Sequence, residues 1–305
     1  MPMSTGSQIA YVFPGQGSQW VGMGQDIGTS SPQARAVFEE ADSSLGFALS
    51  RLCFEGPEDV LRQTINAQPA ILAVSIAYLR ASPELQDNAM APAFLAGHSL
   101  GEYTALVAAR VLNLRDALYL ARERGRLMQE AGEKAQGGMI AIIGLDEAST
   151  NDVCQHAGTQ IANINCPGQI AVSGSIQSLA QATELARAKG AQRVVPLQVS
   201  GAFHSKLMQP AAEGMAHAIS RLTFRDPAIP IVANTTALPI TTAEAVKAEL
   251  SNQLCNCVRW QRSVEYMIEN GVSTFIEIGP GQVLSGLIKR INKEVKTIGM
   301  ETKRK

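Results

Sequence analysis

The sequence has no excess charge of one sign, no long hydrophobic run and no ordered set of cysteines, and each absence removes a class of function. Twenty-six basic residues stand against 27 acidic ones, so no overall field draws the chain to nucleic acid or to an anionic membrane. The longest apolar stretch, residues 69–79, is interrupted by Ser75 and is too short to span a bilayer. Residues 1–10 lack a basic patch followed by an apolar run, so no secretory signal is expected and the protein is expected to work in the cytoplasm. The five cysteines, at 53, 154, 166, 255 and 257, are odd in number and irregular in spacing, which predicts free thiols. Neither Cys255-Asn256-Cys257 nor Cys154-Gln155-His156 has the two-residue gap of a zinc knuckle, and no metal is expected. Internal repeats and low-complexity tracts are absent as well.

What is present suits an ordinary globular protein. With 305 residues, 46% of them hydrophobic, the chain can bury the core of one large domain, or of one domain carrying an insertion. Strand-like runs, each followed by turn residues and a helix-like period, recur at 9–13, 93–97, 229–234 and 274–278. That rhythm predicts an α/β fold with a mostly parallel sheet. Between them, residues 139–144, 160–164, 170–173 and 193–199 read as strands, with helices near 146–157 and 176–189. Their order, β-α-β-β-α-β, is that of a ferredoxin-like unit with an antiparallel sheet. The expected organisation is a large α/β domain built from 1–132 and 200–305, with an inserted ferredoxin-like subdomain over 133–199. Residues 132–138 read as the incoming linker, and Ser200-Gly201 as the return. The charged tail, 301–305, is expected to fray.

Gly97-His98-Ser99-Leu100-Gly101 follows an apolar strand and precedes a helix-like run, 103–112. This is the setting of a nucleophile elbow, in which a serine at a tight strand-to-helix turn stands exposed above the sheet. A serine hydroxyl needs a base, and only four histidines can supply one. His98, in a strand beside Ser99, points to the opposite side and reads as structural. His156 and His217 fall at a helix end and a helix side, where solvent or local partners satisfy them. His204, in Ser200-Gly201-Ala202-Phe203-His204-Ser205, lies after a strand and at a helix start, and is the candidate base.

Arg124 lies in phase with Leu114, Ala117, Leu118, Ala121 and Met128, the buried stripe of a helix. A guanidinium directed inward needs a partner, because an unpaired buried charge is costly. Three readings stand at this point: an ion pair with a core carboxylate, a side chain that snorkels to water, or a bidentate seat for a substrate carboxylate. Phe13-Pro14-Gly15-Gln16-Gly17-Ser18-Gln19 also joins a strand to a helix. It lacks the lysine and hydroxyl residue of a P-loop, so its backbone N–H groups suit an oxyanion better than a phosphate chain. Gly279-Pro280-Gly281-Gln282 has no reacting side chain and reads as a turn that shapes the fold.

Taken together, the segments 13–19, 97–103, 124–129, 201–205 and 279–282 resemble the malonyl-CoA:acyl-carrier-protein transacylases, in order and over nearly the whole chain. The resemblance implies an α/β-hydrolase-like large domain carrying a ferredoxin-like insertion. It implies Ser99 as nucleophile, His204 as base, and the backbone N–H groups of Gln16 and Leu100 as oxyanion hole. Arg124 then holds the free carboxylate of malonate, and the backbone carbonyl of Gln253 orients the base where other triads use an acid. The implied reaction moves malonyl from malonyl-CoA to the phosphopantetheine thiol of acyl carrier protein through malonyl-Ser99, supplying fatty acid synthesis. No cofactor is implied beyond the substrate and the carrier's own phosphopantetheine, and no nucleic-acid or membrane partner; the family tends towards monomers.

Phe203, before the histidine, fits the malonyl-selective form of the motif, while Cys257 stands where the family usually has proline or another small residue. Because carrier proteins are usually acidic, Lys189, Arg193, Lys206, Lys289 and Arg290 are candidates for a basic mouth. A discrete trans-acting acyltransferase of a polyketide synthase would use the same residues with another carrier. A serine esterase would use water as acceptor and usually an acidic triad member, which the inward arginine argues against. A non-catalytic docking subunit is at odds with an intact Ser99, His204 and Arg124.

Overall fold

The structure, a computed structural model, describes residues 8–86 and 90–300, so most of the N-terminal segment and the whole charged tail lie outside the described residues. A six-stranded sheet and a four-stranded sheet organise the chain. The larger contains β1 (Gln8–Phe13), β2 (Phe94–Gly97), β7 (Ile231–Val232), β8 (Pro239–Ile240), β9 (Val272–Glu277) and β10 (Lys296–Gly299), in the order β10-β9-β1-β2-β7-β8. All neighbours are parallel except β7 and β8. A parallel sheet covered on both faces needs apolar residues on both, and the central strands supply them by alternation. Ala10 and Val12 pack with Ala96, Val232 and Phe275 on one face, while Tyr11 and Phe13 join Leu95, Ile231 and Ile276 on the other.

The apolar run found in the sequence becomes part of the helix Thr64–Ala81, which is buried over most of its circumference despite Pro69. It is a core helix; among the described residues no helix is long and apolar enough to cross a membrane.

The second sheet contains β3 (Gly137–Ile143), β4 (Gln160–Cys166), β5 (Gln169–Ser175) and β6 (Arg193–Pro196), antiparallel throughout in the order β4-β5-β3-β6. The helices Glu147–Ala157 and Ile176–Ala188 cover one face, where Val153, Leu179 and Ala182 meet Ile140, Ile142 and Val172. This is the β-α-β-β-α-β order expected.

Three local readings are corrected. Gly132 is not in a linker: the helix Leu114–Lys134 runs through it and β3 starts at Gly137. Its glycine serves a close crossing, since a Cβ there would lie 2.0 Å from the Ser200 carbonyl oxygen on the returning chain. The strands expected at 193–199 and 229–234 shrink to Arg193–Pro196 and Ile231–Val232; Pro230, without an N–H for a ladder, stands just before the second.

Candidate active site

In the parallel pair β1–β2, Phe13 lies opposite Gly97, so both strands leave the sheet at the same edge. Ligands of such sheets bind beyond the carboxyl ends of the strands. The loop holding Gln16 and the turn holding Ser99 and Leu100 emerge there side by side. Glycine makes the crossing possible: a Cβ on Gly101 would lie 2.0 Å from the Phe13 carbonyl oxygen, and one on Gly97 would lie 1.9 Å from the Gly101 carbonyl carbon. Leu100 caps the helix Gly101–Ala108, at the end where backbone N–H groups have no intrahelical acceptor.

Ser99 has φ 52, in the left-handed region. For a residue other than glycine this costs on the order of 1–3 kcal/mol unless its surroundings hold it. Asn234, just past β7, holds it from both sides: its Oδ1 accepts the Ser99 N–H at 2.7 Å and its Nδ2 donates to the Gly97 carbonyl at 2.6 Å. His204 is strained in the same way, with φ 56. Its Nδ1 is 2.9 Å from the Gln253 backbone carbonyl, which can only accept, so Nδ1 carries the proton. Nε2 is thereby left as an acceptor, 2.8 Å from Ser99 Oγ. Burial, and next the charge of Arg124, hold the His204 pKa down to about 3. The ring is neutral, with Nε2 free to accept a proton.

Arg124 is 1% exposed. Its Nη1 donates to Gln68 Oε1 at 2.9 Å, and its Nη2 donates to Gln253 Oε1 at 2.9 Å and to Ser99 Oγ at 3.0 Å. Every acceptor is neutral. Of the three readings open for Arg124, snorkelling and a direct ion pair with a core carboxylate do not occur among the described residues. What remains is a buried guanidinium in contact with Ser99 Oγ and without a carboxylate partner of its own among the described residues, the chemistry that a bidentate anion requires.

Residues 10–302 match the acyl transferase domain family. This chain belongs to that family. The Malonyl CoA-acyl carrier protein transacylase of Bacillus subtilis (strain 168) is 46% identical over 299 residues, 96% of this chain and 93% of that protein. The crystal structure of acyl-carrier-protein-S-malonyltransferase from Bartonella henselae has a TM-score of 0.93 at 44% identity, covering 97% of this chain and 96% of that one. A type II PKS acyl-carrier protein in complex with its malonyl-transacylase gives a TM-score of 0.93 at 41% identity, with 97% of each chain covered.

In this acyl transferase the other sequence candidates also find places. His98 Nε2 is 2.9 Å from Asn165 Oδ1 on β4, and burial lowers its pKa. His156 and His217 are exposed on helices, apart from the Ser99 cluster. The Gln16 side chain donates to Thr64 Oγ1 at 3.1 Å. Phe203 is buried, with its carbonyl accepting from Ser173 Oγ on β5. Gly279 packs beside Pro14, so its turn shapes the loop that carries Gln16. The five cysteines are free thiols, and no group of three or more metal-ligating side chains occurs among the described residues.

Four groups of the site were not read from the sequence: Asn234, Glu102, Gln68 and the Gln253 side chain. Glu102 carries the clearest signal, a charge within a helix buried over residues 101–106, the same anomaly that exposed Arg124. Gln68, in the first half of an almost wholly buried helix, carries a weaker one.

Proposed function

We propose that this acyl transferase moves a malonyl group from malonyl-CoA to the phosphopantetheine thiol of an acyl carrier protein, through a malonyl ester on Ser99. The observation that carries the reading is Arg124, a buried cation without a carboxylate, one hydrogen bond from the nucleophile. A carboxylate seated on it positions the thioester carbonyl over Ser99 Oγ. The names of the relatives support malonyl-CoA and a carrier protein as substrates.

In the first step Ser99 Oγ attacks the thioester and its proton passes to His204 Nε2. The backbone N–H groups of Gln16 and Leu100 receive the negative charge of the tetrahedral oxygen. The Gln253 carbonyl stabilises the imidazolium that forms, and His204 returns the proton to the departing thiolate of coenzyme A. The carrier's thiol then repeats the sequence on the malonyl ester, His204 taking its proton. Thioester is exchanged for thioester, so the cycle is nearly neutral and calls for no metal or redox group. The enzyme works in the cytoplasm as a monomer and supplies fatty acid synthesis; the polyketide complex among the similar structures keeps a polyketide carrier as the second reading, with the same residues.

Charge-assisted hydrogen bonds contribute about 1.5–3 kcal/mol each. Arg124→Ala is therefore expected to slow malonyl transfer by about 10²-fold while leaving acetyl transfer far less changed. An unchanged malonyl-to-acetyl ratio would remove the carboxylate assignment.

A further inference from the structure

Beneath Ser99, His204 and Arg124 lies a layer of buried polar groups joined by one carboxylate. Glu102, in the first turn of the helix Gly101–Ala108, is fully buried. One of its oxygens accepts the Asn234 backbone N–H at 2.9 Å, and the other accepts Gln253 Nε2 at 2.6 Å. Asn234 is the residue that clamps the elbow on either side of Ser99. Gln253 gives its carbonyl to His204, its Oε1 to Arg124 and, through Nε2, a second bond to the Ser99 carbonyl at 3.0 Å. We propose that Glu102 is the positioning residue of this site, holding nucleophile, base and anion seat in one frame by fixing Asn234 and the orientation of the Gln253 amide. The inference rests on the function proposed above.

The polarity of the Gln253 amide decides which partners it can serve. A carboxamide can sit in either of two orientations related by a half-turn, with nearly the same shape. Only the orientation with Nε2 towards Glu102 presents Oε1 to Arg124. Both Glu102 oxygens accept N–H groups, one from Asn234 and one from Gln253, and that arrangement selects the orientation with Nε2 towards Glu102. The flipped amide would set oxygen against oxygen at Glu102 and N–H against N–H at Arg124. Burial, and next the repulsion of Glu249, push the Glu102 pKa well above the usual carboxylate range, against the hydrogen bonds from Asn234 and Gln253 and the charge of Arg124.

Glu102→Gln has the same shape and can still accept from Asn234, but its own amide N–H group faces Gln253 Nε2, so one of the two amides must turn. The expected result is a folded enzyme whose malonyl-to-acetyl preference in Ser99 acylation falls at least tenfold. Glu249→Gln, at a buried carboxylate that holds Thr235 instead, should keep that ratio. A folded Glu102→Gln enzyme with an unchanged ratio overturns the proposal. If that variant does not fold, Gln253→Met decides: it keeps the carbonyl under His204 and deletes the amide, so the ratio should fall, and an unchanged ratio again overturns the proposal. If native protein takes no malonyl at all, the functional reading fails first. Labelling of Ser99 by a fluorophosphonate then judges Glu102, a tenfold slower reaction in Glu102→Gln supporting it and an equal rate rejecting it.

Discussion

His204 is held neutral by its surroundings alone, in the state that the proposed base requires. An ordinary histidine is half protonated near pH 6.5, whereas burial and the Arg124 charge hold this one down to about 3. Nitrogen-resolved imidazole NMR should therefore find His204 neutral at pH 5, and a titration near 6.5 would contradict the geometry. Arg124→Ala removes a positive charge that opposes protonation, so it should raise the His204 pKa. At this scale the chemically conspicuous residues were legible because each breaks a local rule: a serine in a strand-to-helix turn, an arginine on an apolar stripe. Glu102 breaks the same rule, yet it went unread. Asn234 and the Gln253 amide left no local mark, since they meet Ser99 across 135 and 154 residues of chain and an amide has no periodicity.

The helix Leu114–Lys134 shows where pattern succeeds and where it fails. Its apolar stripe identified Arg124, because helical phase is local information. Gly132, on the same helix, looked like a linker, because the Ser200 carbonyl that requires it belongs to a distant segment. Helix propensity alone favours alanine over glycine by about 0.5–1 kcal/mol. Gly132→Ala is nevertheless expected to lower stability, by roughly 1–3 kcal/mol, since the intruding methyl meets backbone that cannot rotate away. A thermal melt reads the sign directly, and a stabilised variant would refute the close crossing. Short strands escaped for a similar reason. Lys296–Gly299 is an edge strand of mixed polarity, recognisable only by its pairing with β9.

At the scale of the molecule, the two sheets meet at the site. The bond from His98 to Asn165 and that from Ser173 to the Phe203 carbonyl tie the neighbours of both reacting residues to the antiparallel sheet. Of the five basic residues considered for carrier docking, Lys189 is held by Asp152, Lys289 by backbone carbonyls and Arg290 by Gln169. Lys206 is exposed and follows closely after His204. Lys206→Glu should raise the KM for carrier protein, with an effect that shrinks at high salt, while acylation by malonyl-CoA stays intact; an unchanged KM would place the carrier elsewhere. The proposed reaction stands on a malonyl ester at Ser99. Intact-protein mass after brief exposure to malonyl-CoA, beside acetyl-CoA and Ser99→Ala controls, tests that directly. A malonyl-sized adduct on native protein alone is the predicted result, and native protein that neither gains mass nor releases coenzyme A would contradict it.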